Sequence, residues 1–166
     1  MTTDEHVLVV DQDQRFAVDL VTILHSLGFG AAAARSAQDA IESAERCRPT
    51  LLLAHVDFEG ELLGVRLANT IRTRFDSSVI LMSSRTNGEV AAAMVAADPA
   101  GVLCKPFHCG QLKITLRLAL GRRAAGRLAA DAFDSRHAGA GRPELEAALR
   151  RIATEISRVG LSADFS

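Results

Sequence analysis

The chain has 166 residues, 48% of them hydrophobic and 4% aromatic, and its formal net charge is -1. This length fits one domain of ordinary size plus an appendage. The near-neutral charge does not indicate a basic surface that could bind nucleic acid, so we expect no direct contact with nucleic acid.

Targeting signals and disulfide spacing are also missing from the sequence. No charged-then-apolar leader precedes the first apolar run, and no apolar stretch approaches the ~18 residues of a membrane span. The three cysteines, Cys47, Cys104 and Cys109, are odd in number and lack a framework spacing. We therefore predict a cytoplasmic protein with free thiols and no membrane contact.

Five short apolar runs alternate with helical patterns along residues 1–121. Such alternation is typical of an α/β domain with a parallel sheet. The predicted strands cover residues 6–10, 30–34, 50–55, 78–82 and 101–104. The predicted helices cover residues 14–27, 37–47, 62–74, 87–97 and 108–121.

The pattern changes after residue 121. Residues 122–141 are rich in alanine and glycine and predict a partly helical, partly flexible linker, and residues 161–166 form a tail. Between them, residues 142–160 predict a helix with an apolar stripe at spacings of 4, 3, 4 and 3: Leu145, Leu149, Ile152, Ile156 and Val159. So short a stripe is unstable alone in water, so it must pack on its own domain, on a second copy or on a partner helix.

Polar residues follow four of the predicted strands. Asp11 comes after the first strand, His55 ends the third, Ser83 follows the fourth and Lys105 follows the fifth. In open parallel sheets the working site lies beyond the carboxyl ends of the strands. We therefore expect these four side chains to form one site.

Together these landmarks resemble a response-regulator receiver domain over about residues 5–121. The resemblance rests on the following segments: Asp11-Gln12-Asp13, the strand ending at His55, Ser83, and Lys105-Pro106-Phe107. It implies a flavodoxin-like, doubly wound, five-stranded parallel sheet in the order 2-1-3-4-5, here with a C-terminal helical extension.

The resemblance also implies a role for each residue of the site. In this family, two adjacent acidic residues after the first strand hold Mg²⁺, and an aspartate ending the third strand accepts a phosphoryl group. Asp11 matches one of the acidic pair, whereas Gln12 departs at the other and His55 stands at the acceptor position. Ser83 and Lys105 match the hydroxyl and the lysine that contact the phosphoryl group.

These departures change the chemistry, because an imidazole cannot form an acyl phosphate. With His55 neutral, Asp11 and Lys105 could pair directly, with an interaction of about 4 kcal/mol at ~4 Å and an effective dielectric of ~20. Such a pair needs no metal. We therefore predict a degenerate acceptor site with no catalytic residue, no cofactor and no Mg²⁺.

The leading hypothesis is an atypical receiver in signal transduction: a phosphorylation-independent interaction or dimerisation module, not an enzyme, that regulates transcription or a partner. One alternative is a working receiver whose acceptor has moved to Asp57 or Asp13. Another is the N-terminal part of a LuxR-type regulator, because residues 143–153 resemble the helix before its DNA-binding motif. A pH-sensing His55 and a Ser83–His55 hydrolytic pair also stay open.

The resemblance further suggests where a partner would bind. Receivers commonly dimerise through the fourth and fifth helices and the fifth strand, and Val102 falls where many members carry an aromatic switch residue. We expect a homodimer or a partner signalling protein to contact the following residues: Met94, Val95, Leu112 and Leu116, with the stripe of residues 142–160.

Overall fold

The fold is built on a parallel five-stranded sheet. The computed structural model describes residues 4–60, 62–85, 87–137, 150–151 and 154. The strands are β1 (His6–Val10), β2 (Gly30–Ala34), β3 (Leu51–His55), β4 (Ser78–Ser83) and β5 (Gly101–Cys104). All neighbouring pairs are parallel. Their order is β2-β1-β3-β4-β5, which confirms the predicted flavodoxin-like fold.

Between Asp4 and His137, the described residues form five helices that connect and flank the strands. They are α1 (Gln14–Ser26), α2 (Ala37–Cys47), α3 (Leu63–Phe75), α4 (Gly88–Ala96) and α5 (Cys109–His137). Three of them begin with a side-chain cap, because Asp13, Ser36 and Asn87 each accept a hydrogen bond from a backbone N–H of the first turn.

The middle of the sheet forms the core. All five residues of β3 are buried, and so are the four residues from Val7 to Val10 of β1. A strand that is buried on both faces has an almost continuous apolar sequence, and this pattern allowed β3 to be predicted. This packing fixes the position of the residues at its carboxyl end.

Helix α5 is longer than the sequence pattern predicted. The prediction ended the helix at residue 121 and made residues 122–141 a partly helical linker, whereas α5 is continuous to His137. Residues 122–133 are mostly alanine and arginine, which are strong helix formers, and each of the two internal glycines, Gly121 and Gly126, costs only about 1 kcal/mol. Gly121 therefore does not end the helix.

The chain divides into two compact units, Met1–Thr115 and Leu116–Ser166. The predicted helix of residues 142–160 and the tail lie outside the described residues, apart from Arg150, Arg151 and Thr154, which are helical. Among the helices that the structure describes, none combines the length and the apolar character needed to cross a membrane.

Gly64 fixes the contact between α3 and the end of β3. A Cβ atom at this position would lie 1.8 Å from the carbonyl oxygen of His55 and 3.0 Å from that of Val56. The first turn of α3 therefore packs directly on backbone atoms, and only glycine leaves room for this approach.

We predict that Gly64→Ala destabilises the protein by about 1–3 kcal/mol, the usual cost of overpacking a tight contact. Urea unfolding measures this change. Gly88→Ala is the matched control, because nothing lies within 4 Å of a Cβ built there. Equal stability of the two variants would contradict the close approach at Gly64.

Candidate functional site

The four predicted site residues meet at the carboxyl edge of the sheet. Asp11 directly follows β1, His55 ends β3, Ser83 ends β4 and Lys105 directly follows β5. The backbone N–H of Lys105 donates to the carbonyl oxygen of Ser83 at 2.8 Å, so the ends of β4 and β5 are held together. The Lys105–Pro106 peptide bond is cis.

Asp11 and Lys105 form a buried ion pair. The Lys105 ammonium donates to Oδ2 of Asp11, and the side chains are only 16% and 1% exposed, respectively. The second carboxylate oxygen, Oδ1, accepts the backbone N–H of Asp13 at 2.9 Å. Both oxygens of Asp11 therefore already have donors within the protein.

Two phenylalanines cover this ion pair. The Nζ atom of Lys105 lies 3.7 Å from the ring centre of Phe16, a cation–π contact. Phe16 in turn packs edge-on against Phe107, with ring centres 5.7 Å apart. Phe16 was not predicted as part of the site, and its position five residues after Asp11 is the one sequence signal that could have placed it there.

His55 is buried, and its ring contacts two neighbouring loops. The backbone N–H of Asp57 donates to Nδ1 at 3.3 Å, so this nitrogen carries a lone pair. The tautomer that fits has its proton on Nε2, which lies 3.5 Å from the Ser84 hydroxyl. The predicted partner, Ser83, is one residue away from the serine that the structure places beside the imidazole.

Burial lowers the pKa of His55. The carboxylates of Asp11 and Asp57 oppose this shift, whereas the cationic groups of Lys105 and Arg85 add to it. The group is therefore neutral near pH 7, in keeping with its role as an acceptor from Asp57.

Ser83 is engaged by its own loop. Its hydroxyl donates to the carbonyl oxygen of Arg85 at 2.6 Å and accepts the backbone N–H of the same residue at 3.1 Å. A nucleophilic serine needs a histidine nitrogen that can accept its proton. The ring nitrogen of His55 nearest to Ser84 is Nε2, and this atom already carries a proton. The site therefore has no histidine nitrogen that could accept a proton from either serine.

The two carboxylates proposed as relocated acceptors also have partners. Asp57 forms an ion pair with Arg85 at 2.6 Å, and this contact raises the pKa of the arginine. Asp13 caps α1, with Oδ1 accepting the N–H of Phe16 at 3.1 Å. Arg85, which links the loop after β4 to the loop after β3, was not predicted as part of the site.

These residues do not fit a Mg²⁺ ion. Magnesium in proteins is bound through carboxylate oxygens with near-octahedral geometry. Here the oxygens of Asp11 are occupied, Gln12 is uncharged and exposed, and a lysine ammonium faces the carboxylate. Across the described ranges, no three histidine, cysteine, aspartate or glutamate side chains cluster so as to hold a metal.

The predicted interaction face needs correction. Met94, Leu112 and Leu116 are buried, at 8%, 1% and 1% exposure, so they belong to the interior of this chain. Val95 on α4 and Val102 on β5 are exposed, at 79% and 45%. Sequence periodicity marked all of these positions as apolar but could not assign the side of each helix that faces the sheet. The other five predicted contacts, Leu145, Leu149, Ile152, Ile156 and Val159, lie outside the described residues.

We predict that His55 makes the protein less stable in mild acid. Its pKa is lowered in the folded chain from the ~6.5 of an unfolded histidine. Between these two values the unfolded chain binds a proton that the folded chain does not, so the free energy of unfolding falls as the pH drops below about 6.5. Urea unfolding at about pH 7.5 and about pH 5.5 measures the effect.

In His55→Gln this part of the pH dependence should disappear, whereas His108→Gln, at an exposed histidine, should keep it. An unchanged pH dependence in His55→Gln would contradict the assignment.

Comparisons with known proteins agree with this architecture. The chain is 29% identical over 115 residues to adventurous-gliding motility protein Z of Myxococcus xanthus (strain DK1622). This match covers 66% of the chain but spans only 8% of that relative. A response regulator from Thermotoga maritima matches with 26% identity and a TM-score of 0.60, over 69% of this chain and 97% of that one. Chemotaxis protein CheY4 of Vibrio cholerae matches with 21% identity and a TM-score of 0.62, over 70% and 98%.

The family model for the response regulator receiver domain matches residues 7–117, well over half of the chain. The match includes β1 from Val7 onward, the other four strands and the whole site described above. The chain therefore belongs to the response regulator receiver domain family.

Proposed function

We propose that this protein is a receiver domain that works without phosphorylation, as a protein-interaction module in cytoplasmic signal transduction. The observation that carries the proposal is the buried Asp11–Lys105 ion pair beside a neutral His55. Receiver domains commonly contact partner proteins and can dimerise, so loss of phosphate chemistry leaves a usable scaffold.

The acceptor position lacks a nucleophile that could form an acyl phosphate. His55 stands at the end of β3, and both of its ring nitrogens have partners. The lysine that would balance the charge of a phosphoryl group is paired with Asp11 and covered by Phe16. Stabilising a transferring phosphoryl group needs a cation that is free to contact it, and Lys105 would first have to leave both partners.

A phosphoryl acceptor at Asp57 or Asp13 would also require existing contacts of that residue to break. Asp57 would have to give up its ion pair with Arg85, and Asp13 its capping contact with α1. Loss of a helix cap alone costs about 1 kcal/mol. These existing contacts favour an inactive site over a moved one.

The exposed apolar side chains support a protein partner. Val95, Val102 and Ile114 lie on three successive elements, α4, β5 and α5, and are 79%, 45% and 61% exposed. We propose that a second copy of the chain or a partner signalling protein binds here, through which transcription or the partner's activity is regulated. Without an acyl phosphate the domain stays in one state, unless a ligand binds another state better.

The test is a challenge with acetyl phosphate, and separately with beryllofluoride, both with Mg²⁺. Intact mass reports a covalent adduct, and solution light scattering reports the oligomeric state. We expect no adduct and no change of oligomer. A stable phosphoryl adduct that is lost in Asp57→Asn or Asp13→Asn would overturn the proposal in favour of a relocated acceptor.

A gain-of-function variant is the matched positive control. Gln12→Asp combined with His55→Asp restores the two missing carboxylates on the same scaffold. We expect this variant to form an Mg²⁺-dependent adduct at position 55 under conditions that leave the wild-type chain unmodified. Failure of the double variant to react would show that the two missing carboxylates do not account for the lack of phosphorylation.

A further inference from the structure

The strand β2 forms one edge of the sheet, since it stands at the end of the strand order beside β1. Its sequence, Gly-Ala-Ala-Ala-Ala, has no charged residue, no proline and no large side chain. Natural proteins usually protect sheet edges with charged residues or proline, because an open edge can pair with another chain. The side chains of β2 give no such protection, so its backbone groups decide whether the edge can pair.

The hydrogen bonds to β1 determine which backbone groups of β2 point outward. The N–H of Gly30 donates to the carbonyl oxygen of Glu5 at 3.1 Å. In a parallel pair, every second residue of an edge strand bonds to the neighbouring strand through its N–H and its C=O. The even-numbered residues of β2 therefore face β1. The odd-numbered residues direct these groups away from the sheet: Ala31, Ala33 and, just past the strand, Arg35.

Side chains of α1 and α2 occupy two of the outward groups. The Nε2 atom of His25 lies 3.1 Å from the carbonyl oxygen of Ala31, and the imidazole is the donor because a carbonyl oxygen only accepts. The N–H of Arg35 donates to Oδ2 of Asp39 at 2.9 Å. In the part of the chain that the structure describes, the outward N–H and C=O of Ala33 have no partner. The edge is thus capped at both ends and open in the middle.

We propose that the β2 edges of two copies of this chain pair antiparallel, across a two-fold axis at Ala33. Residues of an antiparallel pair alternate between positions that exchange both N–H···O bonds and positions that exchange none. Ala33 of each copy exchanges both bonds with Ala33 of the other copy. This pairing satisfies the two groups that are open in the single chain, and it joins the two sheets into one.

The caps of the edge fit this register. Two residues from the axis, Ala31 of one copy lies opposite Arg35 of the other. The N–H of Ala31 then donates to the carbonyl oxygen of Arg35, and within the described residues neither group has a partner in the single chain. The two capped groups, the C=O of Ala31 and the N–H of Arg35, belong to the other bond of the same pair. Both caps can therefore stay in place while the two copies bond at the axis and on each side of it.

The capping side chains favour a second copy over an unrelated peptide. Where Ala31 of one copy meets Arg35 of the other, the first cap is the His25 imidazole, a donor, and the second is the Asp39 carboxylate, an acceptor. Each copy thus brings a carboxylate to the imidazole of the other, and a hydrogen bond to an ionised acceptor is among the stronger ones. An extended peptide from another protein would offer backbone groups alone.

This interface is separate from the exposed face of Val95, Val102 and Ile114. The strands β2 and β5 are the two opposite edges of the sheet, so pairing through β2 leaves that face open to a partner signalling protein. The inference goes beyond the proposed function, because the edge pairs whether or not the site accepts phosphate. Since the paired segment is short and its side chains are small, the interface is below the standard size and the dimer is reversible.

Engineered cysteines test the position of the axis in the full chain. In a background with Cys47, Cys104 and Cys109 changed to serine, Ala33→Cys places a thiol on the two-fold axis. The Cα atoms of a hydrogen-bonded antiparallel pair are about 5.5 Å apart, which suits a disulfide. The matched control is Ala31→Cys, which is equally half-buried. The same register separates the two copies of this residue by at least about 13 Å along the strand.

After mild oxidation with oxidised glutathione, we expect a disulfide-linked dimer of Ala33→Cys and its loss in Ala31→Cys. Equal dimer fractions in the two proteins would indicate random collision. No dimer of Ala33→Cys, or a dimer of Ala31→Cys alone, would exclude this register. Each of these outcomes overturns the proposal.

A second pair of variants avoids cysteine chemistry. Ala33→Pro removes the outward N–H at the axis, and proline is tolerated at an edge position whose N–H faces away from the sheet. Far-UV circular dichroism checks that the variant is folded. Val95→Asp is the control, because it places a charge on the other exposed face. Light scattering over a dilution series should show a concentration-dependent dimer of the wild-type chain and of Val95→Asp, and a monomer of Ala33→Pro.

The other results separate this inference from the proposed function. A dimer that survives in Ala33→Pro but is lost in Val95→Asp would put the second copy on the face of Val95, so the pairing of β2 would be wrong while the proposed function stands. A monomeric wild-type chain at every concentration, a dimer in all three proteins, or loss of the dimer in both variants would also overturn the pairing. A phosphoryl adduct would overturn the proposed function alone.

Discussion

An ammonium group that is mostly buried needs a negative partner, because taking an unpaired charge out of water costs about several kcal/mol. Lys105 meets this requirement with Asp11, and the arrangement of the whole carboxyl edge follows from that pair. Phe16 lies over the same ammonium, with its ring centre 3.7 Å from the Nζ atom of Lys105. The same contact removes the two groups, a free carboxylate and a free cation, on which phosphate chemistry would depend.

His55 completes this arrangement because it is neutral. A carboxylate at the end of β3 would add a second negative charge beside Asp11, and only a divalent cation or a proton would balance it. A neutral imidazole leaves the charges of Asp11 and Lys105 balanced by each other. Its Nδ1 accepts the N–H of Asp57, so the imidazole also holds the loop after β3. The Asp57–Arg85 ion pair extends this connection to the loop after β4.

Much of the fold was predictable because the signals are local. Apolar runs marked all five strands. The predicted break in α5 at residue 121 does not occur, since the helix propensity of the following residues outweighs the cost of Gly121 and Gly126. In the site, Asp11 and Lys105 follow from strand ends, but Phe16 and Phe107 meet only through tertiary packing. The sequence predicted Ser83 as the partner of His55, whereas the structure has Ser84 beside the imidazole. Sequence patterns do not resolve a difference of one residue at the end of a strand.

We propose that the Lys105 ammonium occupies the place at Asp11 where a metal ion would otherwise bind. Thermal unfolding with and without ~10 mM Mg²⁺ tests it most directly, because a cation that binds only the folded state raises the unfolding temperature in proportion to RT ln(1 + [L]/Kd). Sodium chloride at equal ionic strength is the control. The account predicts the same unfolding temperature in both solutions, and a saturable rise that is specific to Mg²⁺ would contradict it.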